Sequence, residues 1–399
     1  MNHQLSRRCF LQSSAAVALS QLLSGCGSGG STTQVLFLEN SIPPQIIRGF
    51  RKSFSQSEKV EFKPQTHIPQ IFDSLFALQH HKKSEQKIKN TLDKLLNKSE
   101  VYPDLTTLGD TWLATAIEQK LIQPFSNKDL NNWQNLPVSW QKLVRRNSQG
   151  DLDSTGAIYG APYRWGSTVI AYRRDKLKPL NITIEDWQDL WQPELRDRIS
   201  LLDSPREVIG LTLKKLGKSY NTDNLATVSE LEAELLALHR QVKLYSSDRY
   251  LESLVLGDTW VAVAWSADIL SLSQRYPEIE FIIPQSGTSL WADLWVKPQL
   301  SQAQLVADSG NSGESPRAIA EWINYCWQPE TAAQISLFTN GVSPILTSSK
   351  SSEIPASLQE NVFLNSPVLN SDKSEFLLPL TSTTEQQYRD LWLKIRQPK

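Results

Sequence analysis

The sequence predicts an α/β protein with room for two domains. Short β-branched or apolar runs alternate with amphipathic stretches along the whole body. The chain has 399 residues, long for one domain and comfortable for two. Tryptophan is abundant, with 13 residues, and indoles either fill cores or line a ligand cleft.

The first segment is read as an export signal. Ser6-Arg7-Arg8-Cys9-Phe10-Leu11 has an arginine pair followed by an aromatic and a leucine, the pattern of a twin-arginine address. The apolar run from Ala15 to Leu19, continued by Leu22 and Leu23, is shorter than the roughly 20 residues a membrane span needs. Leu23-Ser24-Gly25-Cys26 resembles a lipobox, which makes Cys26 the lipidated start of the mature chain. Residues 1–25 are therefore expected to be removed. Residues 26–33, rich in glycine and serine, are expected to form a flexible tether. The location implied is extracytoplasmic or periplasmic, held at a membrane by lipid.

The body follows. Gln34–Leu38 reads as a buried strand ended by Pro43-Pro44. Ile71, Phe72, Leu75 and Leu78 share a helical face. The lysine-rich stretch from His80 to Lys98 reads as a solvated amphipathic helix. A strand at Asp104–Thr106 precedes a helix through Leu113 and Ile117. Tyr159–Tyr172 is strand-rich, and Ser229–Glu232 forms a capping box that opens a helix over 230–243. Val261–Trp265 and Phe281–Ile283 read as buried strands. Ser315-Pro316 opens a helix whose core face includes Trp322 and Cys326. Asn340-Gly341 stops the next helix, and Tyr388, Leu391, Trp392 and Ile395 mark the last one. Residues 308–313 and 347–353 read as loops.

Charge and cysteine use narrow the function. Without residues 1–25 the balance is 39 basic against 42 acidic residues, too even to attract nucleic acid. Cys9 is cut off and Cys26 lipidated, so Cys326 is left without a disulfide partner. There is no nucleophile elbow, phosphate loop or His-Glu-x-x-His. The histidines are scattered: His80 and His81 do not share a helical face, and His239 is a lone structural residue. No enzyme, cofactor or metal site is expected.

Four segments carry a likeness: Tyr159–Gly166; Leu190–Leu195 with Leu201–Gly210 and Leu213–Gly217; Gly257-Asp258 with Val263–Ser266; and Pro284–Asp293. In this order they resemble the bacterial periplasmic spermidine/putrescine-binding proteins of ABC importers. The resemblance implies a two-lobed periplasmic-binding-protein fold (type II), with the ligand in the cleft between lobes. It implies lobe 1 from 34–163 and 290–341, lobe 2 from 164–289 and 342–399, and crossings near Pro162–Thr168 and Gly287–Asp293. It also implies a monomer that works with an ABC permease.

Polyamine binding needs carboxylates for the ammonium groups and aromatic faces over the methylenes. By resemblance, Asp293 and Glu207 match acids of the site, and Trp291 and Trp265 match its aromatic walls. Glu207 could equally favour the helix start at Pro205. The family's other acid falls at Ser204. Its aromatics after the first strand fall at Leu38 and Ser41, and a tyrosine falls at Val342. A family serine–x–tyrosine falls at Gly109 and Thr111, where Asp110 and Trp112 lie alongside to compensate. The implied ligand is a polyamine-like or other small organic amine. The missing acid leaves room for a different ligand, such as an amino-acid derivative, or for a sensor or assembly role on the same fold.

Overall fold

The computed structural model describes residues 32–54, 59–66, 68–80, 103–299, 317–348 and 354–396. The export signal, Cys26, most of the tether, residues 81–102, the helix opening at Ser315-Pro316 and the loops at 308–313 and 349–353 lie outside the described residues.

The strands are β1 Thr32–Leu38, β2 Lys59–Gln65, β3 Leu105–Gly109, β4 Ile122–Gln123, β5 Arg145–Arg146, β6 Ala157–Ile158 and β7 Ala161–Arg173. They continue as β8 Ile199–Leu201, β9 Val242–Tyr245, β10 Val261–Trp265, β11 Ile279–Ile282, β12 Ser289–Pro298 and β13 Glu375–Phe376. The main sheet runs β2-β1-β3-β12-β7-β10-β8-β9. It holds two parallel trios. β1 lies between β2 and β3, and β8 lies between β10 and β9. Helices Pro44–Ser53 and Ile68–His80 connect strands of the first trio. Helices Pro205–Lys215, Leu231–His239 and Tyr250–Leu256 do so in the second, as parallel pairing requires.

β7 and β12 run antiparallel between the trios and belong to both halves. Ala161–Ser167 of β7 pair with β12, whereas Thr168–Arg173 pair with β10 and β11. β12 meets β13 at Ser289 and Leu290 and β3 from Asp293 to Val296. β7 is buried on both faces from Ala161 to Ala171, which explains its nearly continuous apolar sequence. Its Tyr163 stacks on Trp295 with ring centroids 4.6 Å apart and donates its hydroxyl hydrogen to Ser41 Oγ at 2.8 Å.

The tryptophans divide by position. Trp187, Trp295, Trp322 and Trp327 are fully buried core residues. Trp112, Trp265 and Trp291 are only half-buried; Trp112 follows the end of β3, Trp265 ends β10 and Trp291 lies within β12. Cys326 is fully buried, and burial pushes its thiol pKa well up. His239 stacks on Tyr245.

Three local expectations need correction. The helix of residues 230–243 ends at His239, and Val242–Tyr245 form β9 instead. Val, Leu and Tyr there gain ladder bonds along the parallel edge of β8, which outweigh one more helical turn. The capping box at Ser229 is absent, because the N-cap is Glu230 and it makes no side-chain cap bond. The tether is shorter than residues 26–33. Thr32 and Thr33 already belong to β1, paired with Lys59 and Val60, as suits β-branched residues.

Candidate functional site

The carboxyl ends of parallel strands are where ligands bind in open α/β sheets, because loops and helix starts converge there. β3 ends at Gly109 and leads into Asp110 and Trp112; β10 ends at Trp265 and leads into helix Ser266–Arg275. β7 and β12 cross between these two ends.

The β7–β12 register sets Asp293 opposite Arg164, with a bulge between Asp293 and Leu294. Opposite charges facing across strands attract, and a bulge re-aims the side chain beside it. Arg164 Nε donates to Asp293 Oδ2 at 2.7 Å, and Nη2 pairs with the same oxygen. Arg164 Nη1 donates to the Thr339 carbonyl at 3.0 Å. Its guanidinium carbon lies 5.5 Å from the ring centre of Trp291. Both partners are buried, Asp293 at 2% and Arg164 at 6% exposure. Burial disfavours the charged guanidinium, but Asp293, Tyr163 and Asp268 together leave the Arg164 pKa raised. Gly341 makes room for the arginine stem: a β-carbon there would come 2.5 Å from Arg164 Cγ.

Trp291 lies flat against the crossing strand. A β-carbon at Gly166 would collide with its indole and with Ser266 Oγ. Its Nε1 donates to the Ser167 carbonyl at 3.3 Å. Across β7, Trp265 meets Tyr250 edge-on at 5.9 Å. Tyr250 donates its hydroxyl to Asp268 Oδ2 at 2.6 Å. Asp268 is open to solvent at its own surface. The protein packed around it nevertheless raises its pKa, opposed by Tyr250 and Arg164 and reinforced by Asp293. Asp268 is densely surrounded on the protein side but open to solvent. Asn340, in the turn after helix Pro329–Phe338, donates to Ser271 Oγ at 2.7 Å on the helix that carries Asp268.

The remaining expected residues stand differently. Asp110 Oδ1 accepts the Ala292 N–H at 2.9 Å, which places this acid beside Asp293. Burial lifts the Asp110 pKa to about 7, with Ala292 opposing and the Asp293 charge assisting. Trp112 packs on Phe72 at 4.5 Å. Ser204 caps helix Pro205–Lys215, its Oγ accepting the Glu207 N–H at 3.4 Å. Glu207 is 6% exposed and points at the crossing strands. Thr168 of β7 donates to its Oε1 at 3.2 Å, and Ser289 of β12 to its Oε2 at 2.7 Å. Burial raises the Glu207 pKa against those bonds. The structure thus gathers Asp293, Trp291 and Asp110 at one corner and Trp265 across β7. Ser204 and Glu207 sit at a separate helix start. The positions of Ser41 and Val342 are structural: Ser41 is fully buried under Tyr163, and Val342 bridges to Trp165.

Arg164 and Asp268 were not among the expected site residues. Arg164 was readable, being a lone cation inside the apolar run of β7, which demands a buried partner. Asp268 follows Trp265 by three residues in the first helical turn, where an acid is favoured.

Comparisons with known proteins decide the family. Residues 101–362 match the family model described as bacterial extracellular solute-binding protein. The chain belongs to that family. It is 29% identical over 251 residues to the putrescine-binding periplasmic protein PotF of Escherichia coli, covering 58% of this chain and 62% of that protein. It is 26% identical over 248 residues to the spermidine/putrescine-binding periplasmic protein of Salmonella typhimurium, covering 62% of this chain and 65% of that one. The alignments therefore span somewhat under two thirds of these relatives' length. Among solved structures, the spermidine/putrescine substrate-binding protein PotD of Streptococcus pneumoniae superposes with a TM-score of 0.71 at 17% identity. That match covers 92% of this chain and 99% of PotD. The TpPotD lipoprotein of Treponema pallidum gives 0.65 at 16% identity, with the same coverages. The fold is therefore the α/β type of periplasmic binding proteins.

Proposed function

We propose that this family member is the solute-binding component of an ABC importer and takes a small organic amine in the cleft between its lobes. The observation that carries the reading is a half-buried indole on either side of β7: Trp291 bonded to the Ser167 carbonyl, and Trp265 packed on Tyr250, whose hydroxyl holds the exposed carboxylate of Asp268. A carboxylate beside aromatic faces suits a cation on an apolar stem. The relatives named for putrescine or spermidine support the amine class.

In this reading residues 34–163 with 290–341 form one lobe, and 164–289 with 342–399 the other. They close about the β7 and β12 crossings. Cys26 carries the lipid, and the chain meets its permease at the membrane as a monomer. Labelling with radioactive palmitate tests the anchor: a Cys26→Ser chain should lose both label and membrane retention. Calorimetric titration of the mature chain with putrescine, spermidine, n-butylamine and amino acids tests the ligand class. Binding by at least one amine, weakened by about tenfold or more in Asp268→Asn, is expected. Amino-acid binding alone would overturn it.

A further inference from the structure

We propose that Arg164 is a tethered cation that fills one amine position of the cleft, so that the protein selects ligands with a single cationic group over diamines and triamines. The inference rests on the amine-binding reading and narrows it. Asp293 and the face of Trp291 together make a cation site of carboxylate and indole. That site already holds a guanidinium. Arg164 spends Nε and Nη2 on Asp293 and Nη1 on the Thr339 carbonyl, and it lies over Trp291.

The occupation is built into the strands. Arg164 faces Asp293 in the β7–β12 register, and Gly341 leaves the space its stem needs. A ligand ammonium that took Asp293 would strand a buried guanidinium, and an unpaired buried charge is strongly disfavoured. Arg164 is itself buried, so it offers no surface for a ligand carboxylate either. On the other side of β7, Asp268 is exposed and accepts the Tyr250 hydroxyl on one oxygen. Of these two acids, Asp268 is accessible and Asp293 is taken, whereas a polyamine gains from both.

The test compares n-butylamine, putrescine and spermidine by calorimetry on the mature chain and on Arg164→Met. The native chain should bind n-butylamine at least as tightly as putrescine. Arg164→Met frees Asp293, so putrescine affinity should rise by about tenfold relative to that for n-butylamine. The double variant Arg164→Met/Asp293→Asn removes both charges and should lose that gain. Circular dichroism checks that each chain folds. If Arg164→Met does not fold, the native preference decides alone. A native chain that prefers putrescine, or a folded Arg164→Met with an unchanged preference, overturns the tethered cation and leaves the amine reading standing. No binding of any amine by any of these chains overturns both.

Discussion

Two buried acids flank the crossing strands, and they are kept in opposite ways. Asp293 sits on β12 and is met by a full positive charge from Arg164 on β7. Glu207 sits at a helix start and is met by two neutral hydroxyls, Thr168 from β7 and Ser289 from β12. The first arrangement preserves a carboxylate in low dielectric by pairing it. The second leaves burial dominant over the two hydroxyl bonds, so the pKa rises. Both acids are buried against the same two crossing strands. Similar burial is thus met in different ways. A charge-paired acid is costly to orphan; a hydroxyl-paired acid is not.

The sharpest break of this comparison is Asp293→Ala. It leaves the Arg164 guanidinium buried with only the Thr339 carbonyl, and truncating one partner of such a pair costs about 3–5 kcal/mol. The paired replacement Arg164→Met/Asp293→Leu removes both charges and should recover much of that loss. Urea unfolding of the native, single-variant and paired-variant chains measures that recovery. Equal losses in the single and double variants would show that the two residues do not act as a pair.

Asp110 tests the same corner through pH. Its pKa is about 7 in the folded chain against an ordinary 3.8, mainly from burial. Between those values the folded protein holds a proton that the unfolded chain has lost. The stabilisation is therefore complete below about pH 4 and is lost as pH rises through about 7. The loss is on the order of a few kcal/mol. Asp110→Asn keeps an oxygen for the Ala292 N–H and removes the titration. Its stability should lack the decline that the native chain shows across this window. Thermal unfolding at a series of pH values checks it, and parallel curves for the two chains would refute the assignment.

What the sequence made legible was local. The apolar run of β7, the strand at Val261–Trp265, the proline-opened helix at Ser204-Pro205 and the stop at Asn340-Gly341 all follow from neighbours in the chain. β9 was misread because Val242–Tyr245 is decided by its pairing with β8, about forty residues earlier. The site was legible as residue types but not as partnerships. Arg164 meets Asp293 across 129 positions, and Glu207 meets Ser289 across 82. Register and the bulge after Asp293 bring these groups together, and periodicity carries no trace of either.

Ser204 offers the smallest effect and separates cap from site. Its position three residues before the buried Glu207 invites a ligand role. Its hydroxyl is instead spent on the Glu207 N–H at the start of helix Pro205–Lys215. Removing a serine cap costs about 1 kcal/mol. Ser204→Ala should lower stability by that amount and leave amine affinity unchanged. Ser204→Asp is the sharper companion, because aspartate caps as well as serine and also favours the positive helix end. It should hold stability near the native level while adding an acid at the helix start. If Ser204→Asp then tightened diamine binding, the helix start would reach the ligand after all, and the contrast between the two buried acids would be one of charge but not of place. If affinity stayed constant in both variants, the helix start would be scaffold, and the selectivity of the cleft would rest with the strands that carry Arg164 and Asp293.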